Sequence, residues 1–521
     1  MKRLLATAFL ALVVSARTVG KEPPTDYPVV KMDSGDGLVM LRVINSRPIG
    51  GFPKWETVTL HDIKAPPQRK KEVRDRFGST LQSSMFVESL APGDYTLVSL
   101  GAFASGGFGD LVGSADFPRG FRFTVQAGRL TDLGTLYYVA PYGLSPEVPF
   151  RFAQAGDRDL ARNSSFMLEP AQAEPLLASP SLGWTRIPAD TAPGNLKGDT
   201  RHLSMNLAGR ARAPDGSLLF GELFGQVARR SRDGEWTWED TGLAESIQAV
   251  VETTDGKLYA SAEHSTLVRR DSPGHWQRIP VPVAGALPCF LATEPDGSLF
   301  TAWEDFNAIT VLSYQPADAS PWKLRIRIPI EAWPKAMTPL RRCAVLVSPP
   351  KLAVIDYGYS KSGTRFGYHV LDTASVTWSA YRREDFQGLV GMFPDGSWYS
   401  LAGWALGQDF QVASDLGKKW QKLTELSWAD SPLFRDRDEG YLMHVDNAPQ
   451  PYLEKRKYSL WRTLDGGKSW ARHAGMPPRV ASFMLLDGKD MLFPTLDGKL
   501  FVSHDNGVTF ALERDSSYAM W

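Results

Sequence analysis

The chain has only two cysteines in 521 residues, and its eight histidines show neither a His-Glu-x-x-His nor a Cys-x-x-Cys context. A dedicated transition-metal site therefore has no ligand set, and no metal is expected. Charge of one sign is equally lacking, since 58 Lys plus Arg stand against 58 Asp plus Glu. Without a net field the chain has no electrostatic footprint for nucleic acid or an anionic membrane. The short basic runs Gln68–Lys71 and Lys455–Lys457 read as solvated loops. Past the first residues no apolar run approaches the roughly 20 residues of a membrane helix, which argues against insertion. There is no Gly-x-Ser-x-Gly elbow for a serine hydrolase. The Gly-rich stretch 101–113 lies between strand-type runs rather than before a helix, so a phosphate cradle has no support and no cofactor is expected.

What is present begins with Met1-Lys2-Arg3, an apolar run from Leu4 to Val14 and the small residues Ser15-Ala16. This is the pattern of a cleavable signal peptide over 1–16, which predicts a secreted or periplasmic mature chain starting near Arg17. No cysteine follows the cleavage site to carry a lipid. The length exceeds what one core organises, so two units are expected. With 43% hydrophobic residues, 46 Gly and 37 Pro, they should be globular and rich in tight turns.

Between Val29 and Val139 short β-type runs alternate with turn clusters: 38–44, 55–60, 95–100, 121–125 and 136–139. That spacing predicts a β-sandwich over 27–140. Its segments Leu90-Ala-Pro92-Gly93-Asp-Tyr95 and Phe123-Thr-Val-Gln-Ala-Gly128 resemble the hairpins of prealbumin-like sandwiches, which implies a binding or bracing accessory domain. Residues 141–180, rich in Pro, Ala and Ser with one helical stretch, read as a linker.

From Ser181 to Trp521 the chain repeats. Apolar strands meet at Asp215-Gly216, Asp255-Gly256, Asp296-Gly297, Asp395-Gly396 and Asp487-Gly488, with degenerate copies at Pro349-Pro350 and Asp438-Glu439-Gly440. An aromatic recurs in step, expected to open the last strand of each copy: Trp238, Trp276, Trp322, Trp378, Trp420, Trp470 and Phe510. Seven four-stranded blades follow from this period. The expected fold class is all-β, an N-terminal β-sandwich plus a C-terminal seven-bladed β-propeller over 181–521. Trp184-Thr-Arg-Ile-Pro188 repeats Trp276-Gln-Arg-Ile-Pro280 and is expected to add an outer strand that closes the ring.

Thr463-Leu-Asp465-Gly-Gly467-Lys-Ser469-Trp470 and Ser503-His-Asp505-Asn-Gly507-Val-Thr509-Phe510 resemble complete Asp boxes, and the segments around Asp233 and Asp415 resemble partial ones. The repeat is thus similar to the bacterial neuraminidase repeat of sialidase-like propellers. That resemblance implies structural turns at Asp233, Asp415, Asp465 and Asp505. It selects no activity, because the superfamily holds sialidases, other glycoside hydrolases, sorting receptors and assembly factors. The carboxylate-gripping arginine of the sialidases has weak counterparts in Arg186, Arg278 and Arg327, which read as outer-strand residues.

Acids and aromatics recur where the second strand of each repeat ends, on the face opposite the turns: Glu222, Glu263, His264, Trp303, Glu304, Asp305, Asp356, Tyr357, Trp404 and Asp446. These form a candidate ligand rim. Carboxylates from several blades suit a protein or carbohydrate ligand, and two of them at the right separation would suit glycoside hydrolysis; the plain alternative is solvated loop tips. No complete catalytic set accompanies them, so the leading expectation is a non-catalytic binding or assembly module, and the second a glycoside-acting hydrolase using paired rim carboxylates. Cys289 and Cys343 occupy equivalent places on consecutive repeats, which fits either a bridge between neighbouring blades or two buried thiols.

Overall fold

The computed structural model describes residues 29–187, 210–329 and 343–515, less 46–54, 56, 67–69, 76–82, 107–108, 118–119, 139–149, 154–166, 223–224, 244, 295–296, 306–307, 317–320, 349–350, 361–362, 373–376, 384–387, 405–406, 415–418, 448–455 and 496–498. The signal-type segment 1–16 and Asp415 lie outside the described residues.

The N-terminal strands are β1 (Gly37–Asn45), β2 (Thr57–Asp62), β3 (Lys70–Arg74), β4 (Ser83–Leu90), β5 (Gly93–Gly106), β6 (Gly109–Asp116), β7 (Arg122–Val125), β8 (Leu130–Tyr138), β9 (Phe150–Ala153) and β10 (Trp184–Arg186). They form two sheets, β4-β1-β8-β9 and β10-β7-β5-β2-β3, with β6 on β5. Strand β1 shows why its sequence hardly alternates. Val39, Leu41 and Val43 enter the core between the sheets beside Leu60, Phe86 and Phe123. Leu38 and Met40 point the other way, into a second cluster with Met85, Leu130, Leu168 and Leu176. A strand buried on both faces reads as a continuous apolar run.

The stretch expected as a linker is partly built into this unit. Phe150–Ala153 joins the first sheet as β9, and helix α1 (Pro170–Ala178) lays Ala173 and Leu176 over the outer face of β1. Apolar side chains in a Pro- and Ala-rich segment are enough to dock it once an exposed sheet face needs covering. The ring-closing role expected of Trp184 is corrected. Strand β10 pairs with β7, and Trp184 packs edge-on against Phe121 and Phe123 while its Nε1 donates to the Leu133 carbonyl at 2.7 Å.

Seven four-stranded antiparallel sheets follow, each from four consecutive strands: blade 1 (211–240), blade 2 (247–280), blade 3 (287–329), blade 4 (343–383), blade 5 (388–426), blade 6 (429–475) and blade 7 (484–515). The second strands are deeply buried, as in Leu258–Ala262 of blade 2. The Asp-Gly turns precede it: Gly216, Gly256, Gly297 and Gly396 have φ of 83°, 80°, 81° and 79°, the region open to glycine. In two of these turns the Asp carboxylate accepts the Ser N–H two residues on, Asp215 from Ser217 and Asp395 from Ser397, each at 2.8 Å.

The periodic aromatics have one job. Trp276 sits in the core shared by blades 1 and 2, Trp322 in that of blades 2 and 3, Trp378 in the next, then Trp420, Trp470 and Phe510. Trp238 fills the seam between blade 7 and blade 1. Each aromatic therefore wedges its blade against the preceding one, right round the ring. The seam also carries a bidentate pair, with Arg230 Nε and Nη2 each 2.7 Å from the Glu513 carboxylate, and Trp236 Nε1 donating to the same group at 2.8 Å. Cys289 and Cys343, on the first strands of blades 3 and 4, are joined as a disulfide with Cα atoms 5.7 Å apart.

Candidate functional site

The second strands of blades 1 to 3 end on the face opposite the Asp-Gly turns, and there the acids expected at an open rim are buried. Glu222 and Glu263 are each 1% exposed, His264 and Trp303 0%, and Glu304 6%. The sandwich is what comes down on this sector. Arg42 of β1, itself 1% exposed, reaches from the same face as Leu38 and Met40 to place Nη1 2.6 Å from Glu245 Oε1 in the connection between blades 1 and 2. Its Nε and Nη2 donate to Thr135 Oγ1 on β8, at 2.8 and 2.6 Å. Leu287, at the start of blade 3, packs into the cluster of Leu38, Met40 and Leu130.

Below this contact blade 2 makes a tight hairpin. His264 and Ser265 hold φ of 55° and 56°, a left-handed pair usually given to Asn-Gly. Reciprocal hydrogen bonds hold them there: Ser265 N–H to the Ala286 carbonyl at 2.7 Å and Ala286 N–H to Ser265 Oγ at 2.8 Å. Such a conformation persists where its surroundings over-determine it. Burial pushes the His264 imidazole down to about 3, the Arg42 charge adds to this and Glu245 opposes it, so the ring is neutral. Burial would raise the Glu245 carboxyl, but the charge and hydrogen bond of Arg42 outweigh it and hold the group at about 2. The structure thus brings Glu245, His264 and Arg42 into one buried electrostatic cluster, on the sector where Glu222 and Glu263 also lie.

Of the remaining rim residues, Asp305 and Asp446 make contacts within their own blades. Asp305 Oδ1 accepts the Ala308 N–H at 2.7 Å and its Oδ2 lies 3.5 Å from Arg327, a local turn. Asp446, on blade 6, is about one-third exposed; it accepts from Ser459 Oγ at 2.6 Å and lies 3.2 Å from His444 Nδ1, whose ring stacks on Trp461. The side chains of Asp356, Tyr357 and Trp404 lie outside the described part of the structure. Among the described residues no group of three or more His, Cys, Asp or Glu is placed to hold a metal ion. Arg278 and Arg327 are on outer strands of blades 2 and 3, and Arg186 is in β10. Arg42 and Glu245 are what sequence reasoning missed. The signal was there, as a single arginine inside the apolar run Leu38–Ile44.

A cleft of about 790 Å³ opens between blades 1 and 2, beside the wedge residue Trp276. Leu219, Val227 and Leu258 line its apolar part together with Trp276 and Trp238. Its polar part is internally neutralised. Arg270 lies 2.9 Å from Glu239 and 3.6 Å from Glu252; Arg229 lies 2.7 Å from Glu252 and 3.1 Å from Asp215. Backbone groups at its mouth are also occupied: Gly274 N–H donates to Glu239 Oε1 at 2.9 Å, Gly242 N–H to Asp240 Oδ1 at 2.8 Å and Thr241 N–H to the Gly225 carbonyl at 2.9 Å.

No protein-family model and no curated protein matches the chain. Among solved structures it is similar to YCF48 bound to D1 peptide, at 14% identity over 57% of this chain and 91% of that one, with a TM-score of 0.40. It is also similar to the Dos1 propeller (13% identity, 59% and 83% covered, TM-score 0.37) and to a polysaccharide lyase PL25 ulvan lyase (9%, 58% and 88%, 0.38). Among the described residues no helix is long and apolar enough to cross a membrane.

Proposed function

We propose that the chain is a secreted or periplasmic, non-catalytic binding module, an Asp-box propeller braced by a prealbumin-like sandwich, that recognises a protein or glycan ligand. One observation carries this reading: Glu222, Glu263 and Glu304, three of the acids that the sequence puts on the rim, are only 1%, 1% and 6% exposed in the sector that the sandwich covers. A general acid and its partner must reach the scissile bond and a water. Acids sealed in this way brace the joint instead. The Thr463–Trp470 and Ser503–Phe510 turns support the Asp-box reading, since in both the Asp carboxylate accepts from the leading hydroxyl and from the Ser or Thr four residues on.

The test is product release by the purified chain over a panel of neutral, acidic and sialylated polysaccharides, with Asp446→Asn and Glu304→Gln variants alongside. No turnover is expected from any of them. Turnover by the parent chain that disappears in either variant would overturn the binding-module reading in favour of a glycoside-acting hydrolase.

A further inference from the structure

We propose that the cleft between blades 1 and 2 is a saccharide site that takes a neutral, hydroxyl-rich oligosaccharide. The inference rests on the binding-module reading and names its ligand and place. At about 790 Å³ the cleft falls within the roughly 300–1,000 Å³ of small-ligand sites. It opens beside the core in which Trp276, like the other wedge aromatics, joins two blades. Between blades 2 and 3, Trp322 packs on Tyr314 at 4.6 Å and its Nε1 donates to the Pro280 carbonyl at 2.7 Å. Between blades 5 and 6, Trp470 meets Phe410 and Phe434 edge-on at 5.6 and 5.9 Å. Trp276 packs on the core of blades 1 and 2 and also lines the cleft with Arg229, Thr237, Glu239 and Arg270. An aromatic ring with planar charged groups beside it matches a pyranose, whose C–H face is apolar and whose rim is hydroxyl.

The charge arrangement narrows the ligand further. Both guanidiniums are already paired with carboxylates, so an anionic ligand would have to displace Glu239 or Glu252, and a cationic one would have to displace Arg229 or Arg270. Breaking a partly buried pair leaves one charge uncompensated. A neutral ligand carrying both donors and acceptors adds hydrogen bonds to these groups and breaks none. Phosphates, sulfated glycans and uronates are thereby disfavoured. A peptide is disfavoured for a second reason. It binds tightly by main-chain pairing, and the N–H groups of Thr241, Gly242 and Gly274 at the mouth are already donated.

Thr237, exposed on the outer strand of blade 1 and lining the cleft, gives a variant that fills the space without touching the core. The experiment measures saturation-transfer NMR and tryptophan fluorescence on the full chain with cellotriose, maltotriose, laminaritriose, trigalacturonate and an unrelated Ala-Ser-rich peptide. At least one neutral trisaccharide is expected to bind, with affinity falling at least tenfold in Thr237→Arg and unchanged in Glu72→Gln, on the exposed edge strand β3. Thermal unfolding of Thr237→Arg is expected to match the parent, which separates blocking from misfolding. Binding that Thr237→Arg leaves intact, binding of trigalacturonate or the peptide in preference, or no binding of any trisaccharide overturns the saccharide site. The binding-module reading survives each of those outcomes and fails only if a saccharide is cleaved.

Discussion

The two faces of the ring use carboxylates in opposite ways. On the turn face of blades 6 and 7, Asp465 and Asp505 are half-buried at the surface, and local donors hold them charged. The Ser469 hydroxyl and backbone outweigh desolvation to bring Asp465 to about 2, and the Thr509 hydroxyl and backbone bring Asp505 lower still. On the opposite face Glu245 is fully enclosed and is held charged chiefly by one guanidinium 203 positions away in sequence. The first kind of acid is satisfied by its own turn, so removing it is a local event. The second depends on a distant partner, so removing that partner strands a buried charge.

The largest expected effect breaks the distant pair. Arg42→Ala should lower the unfolding free energy by about 3–5 kcal/mol, as for other half-broken buried pairs. The double variant Arg42→Met, Glu245→Leu should recover most of that loss. Urea denaturation of the parent and these two variants measures it, and a double variant as unstable as Arg42→Ala would mean that the pair is not the source. Next comes acid. His264 has a folded pKa of about 3 against an ordinary 6.5, so between those values the unfolded chain binds a proton that the native chain refuses. Its contribution is therefore complete above pH 6.5 and declines as pH falls, by about 2–3 kcal/mol at two units lower. Glu245 acts later, because its stabilisation is present above its ordinary 4.5 and lost only as pH falls towards about 2. His264→Asn, which also tolerates the left-handed backbone, should flatten the decline between pH 6.5 and 4.5, and an unchanged slope would rule His264 out. The smallest effect belongs to the exposed turn: Asp505→Ala should cost about 1 kcal/mol, read as a small shift in urea midpoint, with no change in its pH dependence above pH 5.

The same contrast explains what the sequence could and could not show. The turns and wedges were legible because they repeat. A lone Trp276 is only a buried aromatic, but seven aromatics in phase with seven turns define a period, and each one is found between its own blade and the one before. The end of each second strand was legible as well, which is how Glu222, Glu263 and Glu304 were picked out. Their surroundings were not, because what covers that sector is Arg42 on a strand from another part of the chain, and no local pattern pairs β1 with blades 1 and 2. Trp184 misled for the related reason that Trp-x-Arg-Ile-Pro describes an outer strand without saying which sheet it borders. The cleft beside Trp276 has no sequence mark, since its lining is drawn from separate strands and turns of two blades.

The contiguity of the blades has a kinetic consequence. Because each blade is made from four consecutive strands, blades can assemble one after another from short-range contacts as the chain emerges. Closure is the exception. Arg230 and Glu513 are 283 positions apart, so their contact must wait for the last residues and carry the entropy of closing nearly the whole ring. Before that contact forms, blades 1 and 7 are the two unjoined ends of the ring. Until Trp238 and Glu513 are in place, both of its ends present unpaired apolar faces to any neighbour.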